Sequence, residues 1–153
     1  MCGIAGLLAP SSDDADDISA TLQKMTRSLA HRGPDAEGFW SEGGVALGHR
    51  RLSILELSDA GTQPMRSENG RHVIVFNGEI YNHLDMRCDL SVDGAAPDWR
   101  GHSDTETLLA GITHWGLDET LQRAKGMFAL ALWDRSEKRL SLARDRMGEK
   151  PLY

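Results

Sequence analysis

The sequence predicts an α+β fold in which antiparallel sheet is layered against helix. Strand-like segments cluster at both ends of the chain around central helices, and the last two strand-like runs are joined by a polar connection, as in a hairpin. At 153 residues, 40% hydrophobic and 26% charged, the chain has the length and balance of one globular domain. That length buries roughly two-thirds of the unfolded surface. No internal repeat, low-complexity tract or linker divides it.

The elements follow in order. Cys2 to Ala9 is apolar, reads as a buried strand, and is closed by Pro10 and the polar stretch Ser11 to Asp17. Ile18, Leu22, Met25 and Leu29 are spaced to line one face of a helix, which ends before the Gly33-Pro34 turn. Short strands are expected around Gly38 to Trp40, Val45 to Gly48, Arg51 to Leu55 and His72 to Phe76. Ser103 to Trp115 is a helix opened by a capping box, Ser103 with Glu106, and its buried stripe is Leu108, Leu109, Ile112 and Trp115. A shorter helix around Leu117 to Arg123 precedes Met127 to Trp133, which pairs with Arg139 to Ala143 across Asp134 to Lys138. Trp115 and Trp133 sit at periodic apolar positions and are expected in the core.

Composition excludes several classes of function. A net charge of -6 argues against a general nucleic-acid binder, which carries a basic excess. Two cysteines are too few for a secreted disulfide framework. No basic leader opens the chain, nothing approaches ~18 consecutive apolar residues, and Ile4 to Leu8 is too short to enter a membrane. The expected setting is cytoplasmic, with neither nucleic acid nor membrane as partner.

The most informative residue is Cys2, directly after Met1. Once Met1 is removed, one residue carries both a thiol and a free α-amine. These titrate near ~8.5 and ~8, so the amine can take the thiol proton without a histidine. Taken alone, a buried structural cysteine is the ordinary alternative for Cys2, and it is the reading for Cys88. Gly3 and Gly6 leave room for close approach beside Cys2. Asn77 and Gly78, after the apolar run His72 to Phe76, offer an amide and a backbone N–H suited to an oxyanion hole. On local sequence alone the turn is the favoured reading of Asn-Gly, a common hairpin signal.

Several motifs occur in a fixed order: Met1 to Gly6, His31-Arg32-Gly33-Pro34-Asp35, His49 to Ile54, Asn77-Gly78-Glu79-Ile80-Tyr81-Asn82, Gly101 to Glu106, Gly126 to Ala129, Arg144 to Arg146, and Lys150 to Tyr153. Together they resemble the amino-terminal class II glutamine amidotransferase domain of glutamine-hydrolysing asparagine synthetases. The resemblance covers essentially the whole chain. It implies the N-terminal-nucleophile hydrolase fold, an αββα sandwich of two antiparallel sheets between helical layers.

Site roles come from the same resemblance. Cys2 matches the nucleophile, and Asn77 and Gly78 the oxyanion donors. Arg51 matches the arginine on the glutamine α-carboxylate, a task that suits a planar guanidinium. Asp104 matches the carboxylate on the α-ammonium, assisted by Glu79. Leu52, Ser53, Ile54 and Leu55 match a segment that lines the glutamine site through its backbone. For His31, Arg32 and Asp35 a structural role around the Gly33-Pro34 turn is expected.

The implied partners are L-glutamine and a synthetase domain or subunit that receives ammonia, with a homo-oligomer left open. No cofactor or metal is expected in this domain, ATP and Mg belonging to the absent synthetase half. The resemblance also implies that the glutaminase domain extends beyond residues 1–153. Two rivals stand beside this reading: a glutaminase domain serving another acceptor, such as a sugar, and a non-catalytic glutamine-binding module of the same fold.

Overall fold

The computed structural model describes residues 2–9, 15–53 and 56–153. Strand β1 (Gly3–Leu8) precedes helix α1 (Ala15–Ser28), followed by β2 (Ala36–Glu42) and β3 (Val45–Arg51); the three strands form one sheet in the order β1-β3-β2. The second sheet has the order β4-β5-β6-β7, from β4 (Met65–Arg66), β5 (His72–Ile80), β6 (Gly126–Asp134) and β7 (Arg139–Arg144). Between β5 and β6 the chain forms α2 (His83–Val92), α3 (Asp104–Trp115) and α4 (Leu117–Arg123). All strand pairs are antiparallel. No helix among the described residues is long and apolar enough to cross a membrane.

Strand alternation sorts the apolar side chains into two cores. Val45 and Leu47 of β3 meet Val73 and Val75 of β5 and Ala131 and Trp133 of β6, which packs one sheet on the other. The opposite face of β5, with Ile74, Phe76 and Ile80, packs against Met86 of α2 and Leu108, Leu109 and Ile112 of α3. On the far side α1 lies on β3, where Gly48 leaves room for the buried Thr26. The result is the expected four-layer αββα sandwich.

The sheets and helices differ from the sequence reading in identifiable ways. Asn77 and Gly78 are not a turn: β5 continues to Ile80, and Gly78 pairs with Phe128 of β6. A Cβ at position 78 would collide with the Met127 carbonyl and come 2.7 Å from Phe128 Cα, so β6 is what requires the glycine. Arg51 ends β3, and Leu52 and Ser53 are outside any strand, so the separate strand expected over Arg51 to Leu55 does not form there. Ile54 and Leu55 lie outside the described residues, as does Met1.

On α1 the buried positions are Leu22, as expected, and Thr26, while Met25 is exposed. Helix α2 was not anticipated, because only Met86 and Leu90 mark its buried side. It carries Cys88 at an exposed position, contrary to the expected buried one. The capping box is half formed. Ser103 accepts the Thr105 N–H at 3.1 Å, but Glu106 reaches past it to the N–H groups of Arg100 and Gly101 at 2.9 and 3.3 Å. Trp133 is buried between the sheets, whereas Trp115 is half-buried on the helical layer and donates to Asp93 at 2.8 Å.

Candidate active site

The seam between the sheets changes character along its length. On β3 the face that presents Val45 and Leu47 continues with His49 and Arg51; on β5 the face that presents Val73 and Val75 continues with Asn77 and Glu79. An apolar interface thus opens into a polar one at a single end. Cys2 joins that end because Gly3 pairs with Arg50, which brings the chain start beside the last residues of β3. There Cys2, Asn77, Gly78, Glu79 and Asp104 line one cavity with Arg51, Leu52 and Ser53. Its volume is about 100 Å³.

The sulfur of Cys2 is held in place by backbone. The Leu52 N–H donates to Sγ at 3.4 Å, and Sγ lies 3.7 Å from the Leu52 carbonyl. Ser53 gives its N–H to Asp35 at 2.8 Å, while Asp35 donates its own N–H to the Arg51 carbonyl. Those bonds give Asp35 the structural role expected of it. A Cβ at Gly33 would strike the backbone of Arg50, and Arg50 Nε donates to the Gly33 carbonyl at 2.9 Å, so the turn is fitted against the end of β3. Asn77 is buried on β5, and its side-chain amide bonds no described residue. That amide is therefore free to donate into the cavity.

Two opposite charges face the same space. Arg51 is 8% exposed, and its Nη2 donates to the carbonyls of Glu56 and, at 3.0 Å, Ser58. Asp104 is 6% exposed and accepts the Ile80 N–H at 2.9 Å. Neither forms an ion pair among the described residues. Burial pushes the Asp104 carboxyl up from its ordinary range, against the lowering effect of the Ile80 N–H. Glu79, also without an ion pair among the described residues, raises it further. A buried carboxylate of this kind is stabilised by an incoming cation.

Helix α2 braces this wall. Arg87 donates to the Gly101 and Ser103 carbonyls at 2.9 and 3.0 Å and to Thr107 at 2.8 Å, with its guanidinium 3.8 Å above the Trp99 ring. The entry to α3, and Asp104 with it, is thereby fixed.

Several lining residues escaped sequence reasoning. His49 is buried, and its Nε2 lies 3.2 Å from the Phe76 carbonyl, the residue before Asn77. Gln63 accepts the Phe76 N–H at 2.6 Å and donates to Thr105 at 3.2 Å, joining β5 to α3. Lys150 reaches the cavity because the Asp145 carboxylate accepts the N–H groups of Glu149 and Lys150 at 2.9 and 3.0 Å. Desolvation pushes the Asp145 carboxyl up, but these donors and the Phe128 N–H hold it down at about 2. Strand alternation could have found His49, which stands two residues before Arg51. Nothing in the local sequence marks Gln63 or Lys150.

The chain is similar to known proteins. A family model described as a glutamine amidotransferase domain matches residues 1–153. The whole chain aligns with asparagine synthetase [glutamine-hydrolyzing] 1 of Bacillus subtilis at 38% identity, covering 24% of that protein. It aligns equally completely with asparagine synthetase B [glutamine-hydrolyzing] of Escherichia coli at 36%, covering 26%, and with the amidase chry2 of Gibberella zeae at 37%, covering 24%. The chain thus spans about a quarter of the length of these relatives. Among solved structures, the glutamine phosphoribosylpyrophosphate amidotransferase from B. subtilis, complexed with ADP and GMP, has a TM-score of 0.74 at 19% identity. That match covers 95% of this chain and 37% of that one, and it is a likeness of fold. With every residue inside the family model, this chain belongs to the glutamine amidotransferase domain family.

Proposed function

We propose that the chain hydrolyses L-glutamine to L-glutamate and ammonia through Cys2. The observation that carries this reading is the pair of buried, oppositely charged side chains, Arg51 and Asp104, in the cavity that holds the thiol. An α-amino acid zwitterion supplies the carboxylate and the ammonium that these two lack. Anchoring both ends holds the side-chain amide near Sγ and makes attack effectively unimolecular. Sulfur adds to the amide carbon while Asn77, with the Gly78 N–H, stabilises the oxyanion. The C–N bond then breaks, the Cys2 α-ammonium protonates the departing ammonia, and a γ-glutamyl thioester remains. Water hydrolyses it, releasing glutamate and regenerating the thiol.

The ammonia is intended for an acceptor elsewhere. The names of two relatives, both asparagine synthetases, support aspartate as that acceptor; its activation with ATP and Mg in a synthetase portion is part of the same proposal. A relative called an amidase, at almost the same identity, favours keeping a second acceptor in view. The direct test is glutamate release by chain that begins at Cys2, verified by intact mass. Cys2→Ala is expected to abolish turnover and keep the fold. Full activity with Met1 still attached would defeat the amine as base. A glutamine-like electrophile should label Cys2 and spare the exposed Cys88; labelling confined to Cys88 would overturn the assignment.

A further inference from the structure

The structure assigns Glu56 as a positioning residue that latches together the two walls of the glutamine site. Its backbone carbonyl accepts from Arg51 Nη2, the wall that binds the substrate carboxylate. Its side chain reaches the opposite wall: Glu56 Oε2 accepts the His102 N–H at 2.7 Å, two residues before Asp104. The other oxygen, Oε1, accepts the Ser58 N–H at 2.9 Å and the Ser58 hydroxyl at 2.6 Å. The Ser58 carbonyl in turn accepts from Arg51 Nη2 at 3.0 Å. One carboxylate therefore joins the loop that holds Arg51 to the loop that leads into Asp104.

Two glycines make room for the latch. A Cβ at Gly101 would collide with Glu56 Oε2, and one at Gly61 would come 2.6 Å from Arg51 Nη2 and 3.0 Å from Glu56 Cγ. Both glycines have ordinary backbone angles, since neither is among the positive-φ residues, so space rather than conformation requires them. The His102 and Ser58 donors hold the Glu56 carboxyl at about 2, which keeps it ionised as an acceptor throughout the neutral range. The consequence is geometric. Glu56 sets the separation between guanidinium and Asp104 carboxylate, and so selects a ligand whose carboxylate and ammonium share one α-carbon.

This inference rests on the glutamine reading above, and its test separates the two. Alkylation of Cys2 by iodoacetamide is followed by peptide mass spectrometry, with exposed Cys88 as internal control, while glutamine is titrated in as protectant. Glu56→Ala removes the latch. Glu56→Gln keeps its shape but turns an amide N–H₂ toward Ser58 or His102. For Glu56→Ala the half-protecting glutamine concentration, and KM, should rise about tenfold, the loss expected for charge-assisted hydrogen bonds. Glu56→Gln should fall between this and wild type, and kcat should change little.

The alkylation rate of Cys2 without glutamine should be unchanged in both variants, because iodoacetamide has neither charged end. Unaltered half-protection in both variants sinks the latch alone. A parallel change in the unprotected rate also sinks it, because the effect would then be general loosening around the nucleophile. If Glu56→Ala does not fold, Glu56→Gln decides by the same criteria. Wild-type Cys2 that glutamine fails to protect overturns the glutamine reading and the latch with it.

Discussion

Desolvation raises the affinity of Asp104 for a proton, and the Ile80 N–H offsets only part of that rise. The folded chain therefore binds this proton more tightly than the unfolded chain does. From this group alone, stability is greatest below the unfolded carboxyl pKa of ~3.9 and declines as pH rises through the elevated folded value. Asp104→Asn keeps an oxygen for the Ile80 N–H and removes the charge. It should raise the pH 7 melting temperature by a few degrees, on the order of what one kcal/mol gives a domain this size. The same variant should raise KM for glutamine and flatten its increase in acid, where a proton competes with the substrate ammonium. A variant that melts lower yet binds glutamine normally would refute this account. Asn77→Ala should act on the other half of the reaction, lowering kcat about a hundredfold or more while KM changes less. Cys2, Arg51, Asn77 and Asp104 stand out as candidates because their motifs lie in order along the chain, whereas their convergence on one cavity needed two sheets. Cys88 illustrates the limit: its exposure depends on which side of an unanticipated helix it occupies.

Between elements, the bond from His49 to Phe76 ties β3 of one sheet to β5 of the other beside the oxyanion segment. A carbonyl only accepts, so Nε2 carries the proton, and desolvation holds the ring neutral with a pKa of about 4. A depressed histidine adds stability that is complete above the unfolded value near ~6.5 and is lost as pH falls through the folded one. Urea denaturation of the wild type should therefore show a loss on the order of 3 kcal/mol between about pH 6.5 and pH 4 from this group. His49→Gln should show a shallower slope across that window, and an unchanged slope would place the acid sensitivity elsewhere. Legibility at this scale followed locality. Helix α3 and the β6–β7 hairpin were readable because periodicity, cap and turn lie within each segment. Asn77-Gly78 was misread locally because its partner strand β6 follows only after three helices. The two-residue β4 and weakly amphipathic α2 carry too little pattern to be seen.

At the scale of the molecule, β1 and β7 are outer strands of their sheets, and both leave apolar side chains uncovered. Leu8 is 70% and Leu142 59% exposed. A groove lined by β1, Leu140, Leu142 and Leu152 runs between them. Unpaired N–H and C=O groups beside apolar side chains favour edge-to-edge association. Opposing this is the net charge of -6, which makes copies of the chain repel. Salt screens that repulsion, the Debye length falling from about 10 Å at 0.1 M to about 3 Å at 1 M, and leaves apolar contact intact. Self-association should accordingly increase with protein concentration and with salt, the reverse of what ion-paired contacts would show. Leu142→Lys adds a charge at the β7 edge and should shift the sedimentation profile toward monomer. Glutaminase turnover should survive in that variant, since Leu142 is absent from the cavity that holds Cys2. Leu8→Lys tests the β1 edge, about 20 Å along the strand from Cys2 at ~3.3 Å per residue. A wild-type chain that sediments as a monomer at high concentration in 1 M salt would show that these edges are already protected in solution.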